Sequence, residues 1–344
     1  MASHRRPKQP SRARVTVLTT AAAAAVALSS QAANAAPSEK LSKDEVKSKV
    51  DKLYEQAEQA TEKYNGAKEK QEKLQKEIST IQDDVARGQE ELNELRDSMG
   101  LAAAAQYRTG SIDSSLQLFL SSDPEDYLDK ASTADQLSGQ QVEALKKIQE
   151  KQRELAQERS EASGKLKDLA STRTELGKKK KEVQGKLAEA QKLLNSLTAA
   201  ERAALAAADE RASRSSTTRV DLGNATSASG RASAAFAAAQ TKLGSAYVYG
   251  ATGPSSFDCS GLTSWAYAQA GVTIPRTSQA QANAGTRIYS ASDLKVGDLV
   301  IFYGDQHHVG LYAGNGQVLH APRTGTVVRY ESIGNMPFQF GVRI

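Results

Sequence analysis

Apolar residues recur at heptad spacing along two long stretches in the first two thirds of the chain. From residue 46 to residue 99 they alternate at spacings of four and three, with charged residues at most of the other positions. From residue 145 to residue 197, a second series keeps one position apolar every seven residues. Sustained heptads with charged flanks are typical of coiled-coil helices. We therefore predict an antiparallel coiled-coil hairpin within residues 36–198.

The segment between the two series is predicted to form the tip of this hairpin. It contains glycine breaks and a helix start at "SSDPED", where Ser122 or Asp123 caps the helix and Pro124 takes the first turn. Four apolar residues before this start either pack locally or form a docking patch: Leu116, Leu118, Phe119 and Leu120. The pattern leaves open whether the hairpin is a spacer that dimerises or a regulatory arm that docks on a partner.

The pattern changes after the hairpin. Residues 199–230 are rich in Ala, Ser, Thr and Gly, which is typical of a flexible linker. Residues 231–344 contain predicted helices near 231–243 and 259–270, followed by the strand patterns "DLVIFY", "HVGLYA", "QVLHA", "TVVRYE" and "FGVRI". Helices followed by short strands that tight turns connect predict an α+β domain with an antiparallel sheet.

Residues 1–35 have the features of a signal peptide. Five basic residues precede the apolar stretch "VTVLTTAAAAAVALSS", and Ala33-Asn34-Ala35 fits a cleavage site. We therefore expect a secreted protein, extracellular or associated with the cell wall. The whole chain has 45 basic and 40 acidic residues, and loss of this segment would leave 40 of each. The basic pI therefore gives no reason to expect a nucleic-acid partner.

The chain contains a single cysteine, Cys259, in the stretch "FDCSGLTSWAYAQAG". A free thiol in an exported protein indicates either intermolecular pairing or a reactive group. Asp258 is predicted to cap a helix, which would place Cys259 in the first helical turn. The helix dipole and the free backbone N–H groups there favour a thiolate. We therefore expect the pKa of Cys259 to be lowered.

The three histidines that follow the signal peptide, His307, His308 and His320, all lie in the same domain as Cys259. If Gly314-Asn315-Gly316 forms a three-residue loop between two strands, His320 lies opposite Gly310. His308 then lies two residues away on the same face. A two-residue Asn-Gly loop would put the two histidines on opposite faces, so the shared face predicts an odd-numbered loop. His307 points to the other face and is interpreted as a polar residue at a strand edge.

This arrangement predicts nucleophilic catalysis by a thiol. His308 would take the proton of Cys259 and later protonate a leaving amine, while His320 orients the His308 ring. Two other interpretations compete: a buried structural cysteine with incidental histidines, and a zinc site. The zinc site is disfavoured because no second thiol or acidic residue lies at ligand spacing from Cys259. We therefore predict an enzyme without a metal or another cofactor.

Several motifs in residues 231–344 resemble the NlpC family of papain-like cell-wall peptidases. The resemblance is carried by "AYVYGATGPSSFDCSGLTSWAYAQAGVTIPRTSQAQ", "VGDLVIFY", "HHVGLYAGNGQVLHAP" and "GVRI". It implies a papain-like fold and hydrolysis of peptidoglycan stem peptides, usually at the γ-D-glutamyl–diaminopimelate bond. It also implies a catalytic triad of Cys259, His308 and His320.

The same resemblance implies roles for residues around the nucleophile. Tyr247 would help to polarise the reacting carbonyl, and Asp258 and Ser260 would line the substrate groove. The second glycine that the family usually has in its "YVxGG" motif is Ala251 here, which bears on fine specificity. Arg276 and Gln281, polar residues in the following loop "PRTSQAQ", are weaker candidates for substrate contact.

The hairpin resembles, more weakly, the long helical hairpins of actinobacterial and PcsB-like cell-wall hydrolases. This resemblance implies control by a cell-division membrane complex of the ABC-transporter type, or masking of the catalytic groove by the arm. Two alternative functions stay open at this point. One is an N-acetylmuramyl-L-alanine amidase with the same nucleophile, and the other is a non-catalytic wall-binding scaffold or activator.

Overall fold

The structure is a computed structural model that describes residues 41–109, 124–218, 222–223 and 226–344. The predicted signal peptide and the four apolar residues of the hairpin tip lie outside the described residues. Within the described ranges, no helix combines the length and the apolar character needed to cross a membrane.

Two long helices, α1 (Lys43–Thr109) and α2 (Pro124–Ser196), pack against each other in antiparallel orientation. A capping box starts α1, since the Ser42 N–H donates to the Glu45 carboxylate at 2.8 Å and the Glu45 N–H donates to Oγ of Ser42 at 3.2 Å. The buried contacts follow the predicted seams, and residues further along α1 contact residues nearer the start of α2, as antiparallel packing requires. The groups are Val46, Val50 and Leu53 with Ala190 and with Leu197 just after α2, Leu74 and Ile78 with Leu169, and Leu92 with Ile148 and Leu155.

A third helix, α3 (Ala199–Thr218), occupies most of the segment for which the sequence predicts a flexible linker. Thr198 and Glu201 form a second capping box, with the Thr198 N–H donating to Glu201 at 2.9 Å and the Glu201 N–H donating to Thr198 at 3.3 Å. The alanines that suggested a linker are also the strongest helix formers, and this cap lets them continue as a helix. The chain thus reaches the C-terminal domain through a helix over residues 199–218.

The C-terminal domain has three helices and eight strands. The helices are α4 (Gly230–Gln240), α5 (Cys259–Gln269) and the one-turn α6 (Ser278–Gln281). The strands are β1 (Ala246–Tyr247), β2 (Ser256–Phe257), β3 (Thr286–Ile288), β4 (Leu299–Phe302), β5 (His308–Gly314), β6 (Gln317–His320), β7 (Arg329–Ser332) and β8 (Phe338–Arg343). Two short 3₁₀ helices span Ala291–Asp293 and Ile333–Asn335.

Six of the strands form one antiparallel sheet in the order β3-β8-β4-β5-β6-β7, and β1 and β2 form a separate parallel pair. Helices α4 and α5 pack on one face of the six-stranded sheet, and the apolar core lies between them and β4, β5 and β6. This architecture confirms the predicted α+β class, in which a long helical hairpin precedes a domain of helices and antiparallel sheet.

The β5–β6 hairpin has the predicted register but not the predicted loop. Leu311 lies opposite Leu319, a register in which His320 falls opposite Gly310. However, the turn is the two-residue Asn315-Gly316, with φ of 47° and 68°, as in a type I′ turn. The expectation of an odd-numbered loop is therefore wrong. A bulge between Tyr312 and Gly314 adds one residue to β5 and restores the register that an even loop alone would have shifted.

Candidate active site

Cys259 is the first residue of helix α5, as predicted. Asp258 caps the helix with extended backbone angles, and its Oδ1 accepts a hydrogen bond from the Gly261 N–H at 2.7 Å. Close packing holds this turn in place, because the Gly261 Cα lies so near the carbonyl of Ala251 that a Cβ would come within 2.1 Å of its oxygen. Helix start and cap thus fix the position of the thiol.

The β5–β6 hairpin brings His308 and His320 into direct contact. Nε2 of His308 lies 2.7 Å from Nδ1 of His320, and Nε2 of His320 lies 3.2 Å from the carboxylate of Glu331 on β7. Because a carboxylate only accepts, Nε2 of His320 carries the hydrogen, and Nδ1 of His320 accepts from Nε2–H of His308. The three side chains form a chain of hydrogen bonds that does not use Nδ1 of His308, and a ring nitrogen of His308 lies within 4.8 Å of Sγ of Cys259.

The protonation states of His320 and Glu331 agree with these donor and acceptor assignments. Burial lowers the pKa of His320 to about 4, which keeps its ring neutral. Burial acts to raise the pKa of Glu331, but hydrogen bonds from His320 and Arg329 outweigh it and hold that pKa well below its ordinary value. An ionised Glu331 thus orients a neutral His320, which in turn orients His308.

Helix α1 of the hairpin crosses this site and contributes a carboxylate to it. Glu58 bonds Nδ1 of His308, the ring nitrogen that the contact with His320 leaves unused. Burial lowers the pKa of His308, but the charge and hydrogen bond of Glu58 outweigh burial and raise it above its ordinary value. The bond to Glu58 therefore favours the imidazolium form of His308 and pairs it with the arm, the name used below for the hairpin of α1 and α2.

One turn further along α1, the carboxylate of Glu62 occupies a polar pocket beside Cys259. One oxygen accepts from Oγ of Ser260 at 2.8 Å and lies 3.8 Å from Sγ of Cys259. The other accepts from the N–H of Ser278 at 2.7 Å and from its hydroxyl at 3.1 Å. Burial, followed by the charge of Asp258, raises the pKa of Glu62 to about 7 in spite of these bonds.

The place where α1 covers Cys259, Ser260 and His308 is called the groove below, and Asp258 connects the elements around it. Its carboxylate pairs with Arg276 at 2.6 Å and 3.0 Å and accepts from the Gly250 N–H at 2.9 Å. The amide of Asn65 on α1 donates to Oδ2 of Asp258 at 3.0 Å. Asp258 is fully buried, so its bonds position the surrounding loops, and Arg276 also reaches Oγ of Ser260 at 2.7 Å.

The thiol itself is protonated in this arrangement. Cys259 is fully buried, and burial, followed by the charges of Glu62 and Glu58, raises its pKa well above the ordinary value. The expected lowering of this pKa is therefore not met while α1 covers the site. The same causes act on Tyr247, which is buried beside the thiol and has a pKa raised well above its ordinary value, first by burial and then by Glu58.

His307 takes no part in this chain of hydrogen bonds, as predicted. Its ring stacks on Tyr303 at 4.2 Å between ring centres, and its Nδ1 bonds Asp305. Its backbone carbonyl accepts from the thiol of Cys259 at 3.8 Å, a contact of the main chain alone.

Comparison with known proteins identifies the domain that carries this site. The sequence profile of the NlpC/P60 family matches residues 244–341. The chain is 57% identical over 106 residues to a probable endopeptidase of Corynebacterium glutamicum, covering 31% of this chain and 50% of that protein. It is 43% identical over 102 residues to a probable endopeptidase of Mycobacterium tuberculosis, covering 30% and 26%. The crystal structure of the NlpC/p60 domain of the peptidoglycan hydrolase SagA is 36% identical, with 33% of this chain and 98% of that chain covered and a TM-score of 0.32.

Residues 244–341 are an NlpC/P60 domain. The match spans the C-terminal domain alone, and it covers half of the length of the Corynebacterium relative. Within the NlpC/P60 domain lie all six site residues predicted from the sequence, and the structure gathers them around one groove: Tyr247, Asp258, Cys259, Ser260, His308 and His320. Four residues of that groove were missed or given little weight: Glu58, Glu62, Arg276 and Ser278.

A second contact ties the arm to the NlpC/P60 domain away from the groove. Arg323, in the loop after β6, lies over the ring of Tyr54 at 4.6 Å and pairs with Asp51 at 3.8 Å, both on α1. It also pairs with Asp209 of α3 at 3.3 Å. A cavity of about 560 Å³ lies between these elements, and Arg323 is one of the residues that line it.

Proposed function

We propose that this protein is a secreted peptidoglycan hydrolase, a cysteine endopeptidase that cuts stem peptides. The observation that carries the proposal is the chain from Glu331 through His320 to His308, which ends beside Cys259 at the start of α5. A thiol at a helix start, next to a histidine that a second group orients, is the arrangement that activates a cysteine nucleophile.

In the proposed reaction, Nδ1 of His308 takes the proton of Cys259, and the thiolate attacks the carbonyl carbon of the scissile amide. His308 then gives that proton to the leaving amine, and water hydrolyses the resulting thioester with His308 again as the base. His320 acts as a positioning residue because it touches His308 and not the substrate. Tyr247 lies beside the thiol, where its hydroxyl would donate to the carbonyl oxygen.

The pocket that holds Glu62 supports the choice of bond. It binds a carboxylate through the Ser278 N–H and two serine hydroxyls, with one oxygen 3.8 Å from Sγ of Cys259. A γ-linked D-glutamyl residue carries a free α-carboxylate near its scissile carbonyl, and this carboxylate would take the place of Glu62. The substrate of an amidase that cuts the lactyl–alanine bond has no carboxylate beside that bond. The pocket therefore favours cleavage at the γ-D-glutamyl–diaminopimelate bond.

The arm would act as an inhibitor of this reaction. Glu58 occupies the base and Glu62 the proposed substrate pocket, so a stem peptide reaches Cys259 only after α1 leaves. Both contacts come from a polar stripe on α1 that also includes the buried Thr61 and Asn65. This supports masking of the groove by the arm, one of the two controls implied by the sequence.

We propose that the arm is released by a partner that binds the hairpin away from the groove. Apolar residues stand exposed toward the far end of the hairpin from the NlpC/P60 domain: Leu101, Tyr107, Leu128, Leu137, Val142 and Leu145. We propose that a cell-division membrane complex docks on this end and pulls α1 from the groove. Deletion of this end would then leave the isolated enzyme masked but block its activation in cells.

The new ends of the digested stem peptides show which bond the enzyme cuts. Peptidoglycan digested by a Glu58→Gln/Glu62→Gln variant should yield peptides with new N-terminal diaminopimelate, detected by mass spectrometry. Stem peptides freed from lactyl-linked sugar would instead indicate the amidase. An inert variant with intact fold would favour the non-catalytic scaffold.

A further inference from the structure

Helix α1 completes a set of side chains at the groove that suits a metal ion. A carboxylate oxygen of Glu58, Sγ of Cys259 and a ring nitrogen of His308 lie within 4.8 Å of one another, and all three residues are buried. In the sequence, no acidic residue lies at ligand spacing from Cys259. The fold supplies one from the arm.

We propose that the closed chain binds one zinc ion through Cys259, His308 and Glu58, so that the metal ties the arm to the NlpC/P60 domain. Zinc takes sulfur, nitrogen and oxygen ligands in tetrahedral geometry at about 2.0 to 2.3 Å, which places ligand atoms about 3 to 4 Å apart. The three atoms already lie within a 4.8 Å limit, so small side-chain rotations bring them to these distances. A thiolate and an imidazole favour zinc over magnesium or calcium.

The surroundings of the three ligands fit this ion. Nε2 of His308 donates to His320 at 2.7 Å, the kind of second bond that fixes a metal-binding imidazole in orientation. The carboxylate of Glu62 lies 3.8 Å from Sγ of Cys259, where it or a water molecule takes the fourth position. Binding displaces the thiol proton of Cys259 and the Nδ1 proton of His308 to the solvent. The thiolate and Glu58 then balance the charge of the ion.

A metal bound in this way acts on closure as well as on the nucleophile. Glu58 belongs to the arm, so opening removes one of the three protein ligands, and zinc therefore binds the closed state more tightly than the open one. By mass action, it shifts the equilibrium toward the closed state. The site requires only the closed arrangement, and its existence does not depend on the proposed peptidase reaction.

Metal titration of the tag-free, metal-free full chain tests the proposal. Cobalt(II) should bind at one site with a thiolate-to-metal charge-transfer band, and Cys259→Ser should remove this band. In calorimetry, Glu58→Gln should weaken zinc binding at least tenfold. Glu55→Gln, at an exposed position on the same helix, is the matched control and should bind zinc as the wild type does.

An absent charge-transfer band, or equal zinc affinity in wild type and Glu58→Gln, would overturn the proposal. Since Glu58→Gln also loosens the arm, X-ray absorption of the zinc-loaded wild type provides an independent reading. It should show one sulfur among otherwise nitrogen and oxygen ligands, and a shell without sulfur would contradict the site. These readouts involve no hydrolysis, so failure of the zinc site and failure of the proposed function are separate results.

Discussion

The carboxylate of Glu58 bonds Nδ1 of His308, the nitrogen that the proposed reaction needs as its base. Two residues far apart in the chain therefore meet at this nitrogen. While Glu58 of the arm bonds it, Nδ1 of His308 is not available to accept the proton of Cys259. Because both side chains are buried, this pair is screened little by solvent, and its loss changes the balance between closed and open chain.

Replacement of Glu58 by Gln should raise the basal rate of peptidoglycan hydrolysis. The change leaves a buried imidazolium without its counter-ion in the closed state, a situation that costs a few kcal/mol. We expect at least a tenfold higher rate, which corresponds to about 1.4 kcal/mol, as measured by release of soluble muropeptides in the presence of a chelator. Glu55→Gln should leave the rate at the wild-type level. A rate in Glu58→Gln no higher than in this control would mean that the pair does not hold the chain closed.

Replacement of Arg323 by Ala should have a smaller effect in the same direction. Its partners Asp51 and Asp209 are 42% and 51% exposed, and ion pairs of this kind contribute about 0 to 1 kcal/mol. The contact with Tyr54 adds about 0.5 to 1 kcal/mol. We expect a two- to fivefold rise in basal hydrolysis, which corresponds to about 0.4 to 1 kcal/mol and lies in the lower part of the summed free energy of these contacts. An effect larger than that of Glu58→Gln would mean that the contacts of Arg323, rather than those of Glu58 in the groove, mainly hold the chain closed.

Rising pH should open the arm. The pKa of Glu62 is about 7 in the closed chain, above its ordinary value of 4.5, because burial and Asp258 oppose its charge. The closed state therefore holds a proton that the open state releases, and it is favoured most below pH 4.5 and progressively less up to about pH 7. The raised pKa of His308 acts in the same direction, since its pairing with Glu58 is lost on deprotonation.

Fluorescence energy transfer measures this opening without a catalytic readout. Fluorophores are attached to cysteines placed at the exposed positions Lys70 on α1 and Ala291 in the NlpC/P60 domain, in a Cys259→Ala background with chelator. Transfer should fall between pH 5 and pH 8, and Glu62→Gln should flatten the lower part of this transition. Constant transfer over the whole range would show that these protons do not control the arm.

His320 should act on turnover rather than on substrate binding. In the Glu58→Gln background, His320→Ala should lower kcat by about 10- to 100-fold with little change in KM, because the His308 ring loses its orienting partner. His320→Gln should recover part of kcat, since its amide oxygen can accept from Nε2–H of His308. An Ala variant with full kcat, or a Gln variant no better than Ala, would show that the contact at 2.7 Å is structural only.

Sequence patterns were enough to predict the parts of the fold with strong periodicity. The seams of α1 and α2, the helix that starts at Cys259 and the five strands from β4 to β8 follow the predicted order. The two-residue strands β1 and β2 escaped prediction because their length leaves no alternation to detect. The helix over 199–218 escaped because its small residues suit both a linker and a helix, and only the box of Thr198 and Glu201 distinguishes them.

The shared face of His308 and His320 was predicted from the right register with the wrong loop. Hairpin turns set register by counting residues, and a bulge is invisible to such a count because it depends on packing in the sheet. Asn315-Gly316 is the strongest short signal for a two-residue turn, and the structure uses it. The extra residue near Ala313 accounts for the difference.

The arm residues in the groove escaped prediction for a different reason. Glu58, Glu62 and Asn65 lie on a helix rich in charged residues, where a polar stripe is usually a solvated face. Their burial arises from contacts with residues about 200 positions later, such as Asp258 and Ser260. The sequence did contain one indication of a shared face. Glu58, Glu62 and Asn65 are spaced by four and three residues, which places them on one side of the helix.

Hydrolysis of purified peptidoglycan by matched variants tests the central claim most directly. Muropeptide release should be low for the wild type, at least tenfold higher for Glu58→Gln/Glu62→Gln, and absent when Cys259→Ala is added to that double variant. Circular dichroism on all three would show that each is folded. Release that persists without Cys259, or a wild type as active as the opened variant, would contradict a cysteine peptidase masked by its own arm.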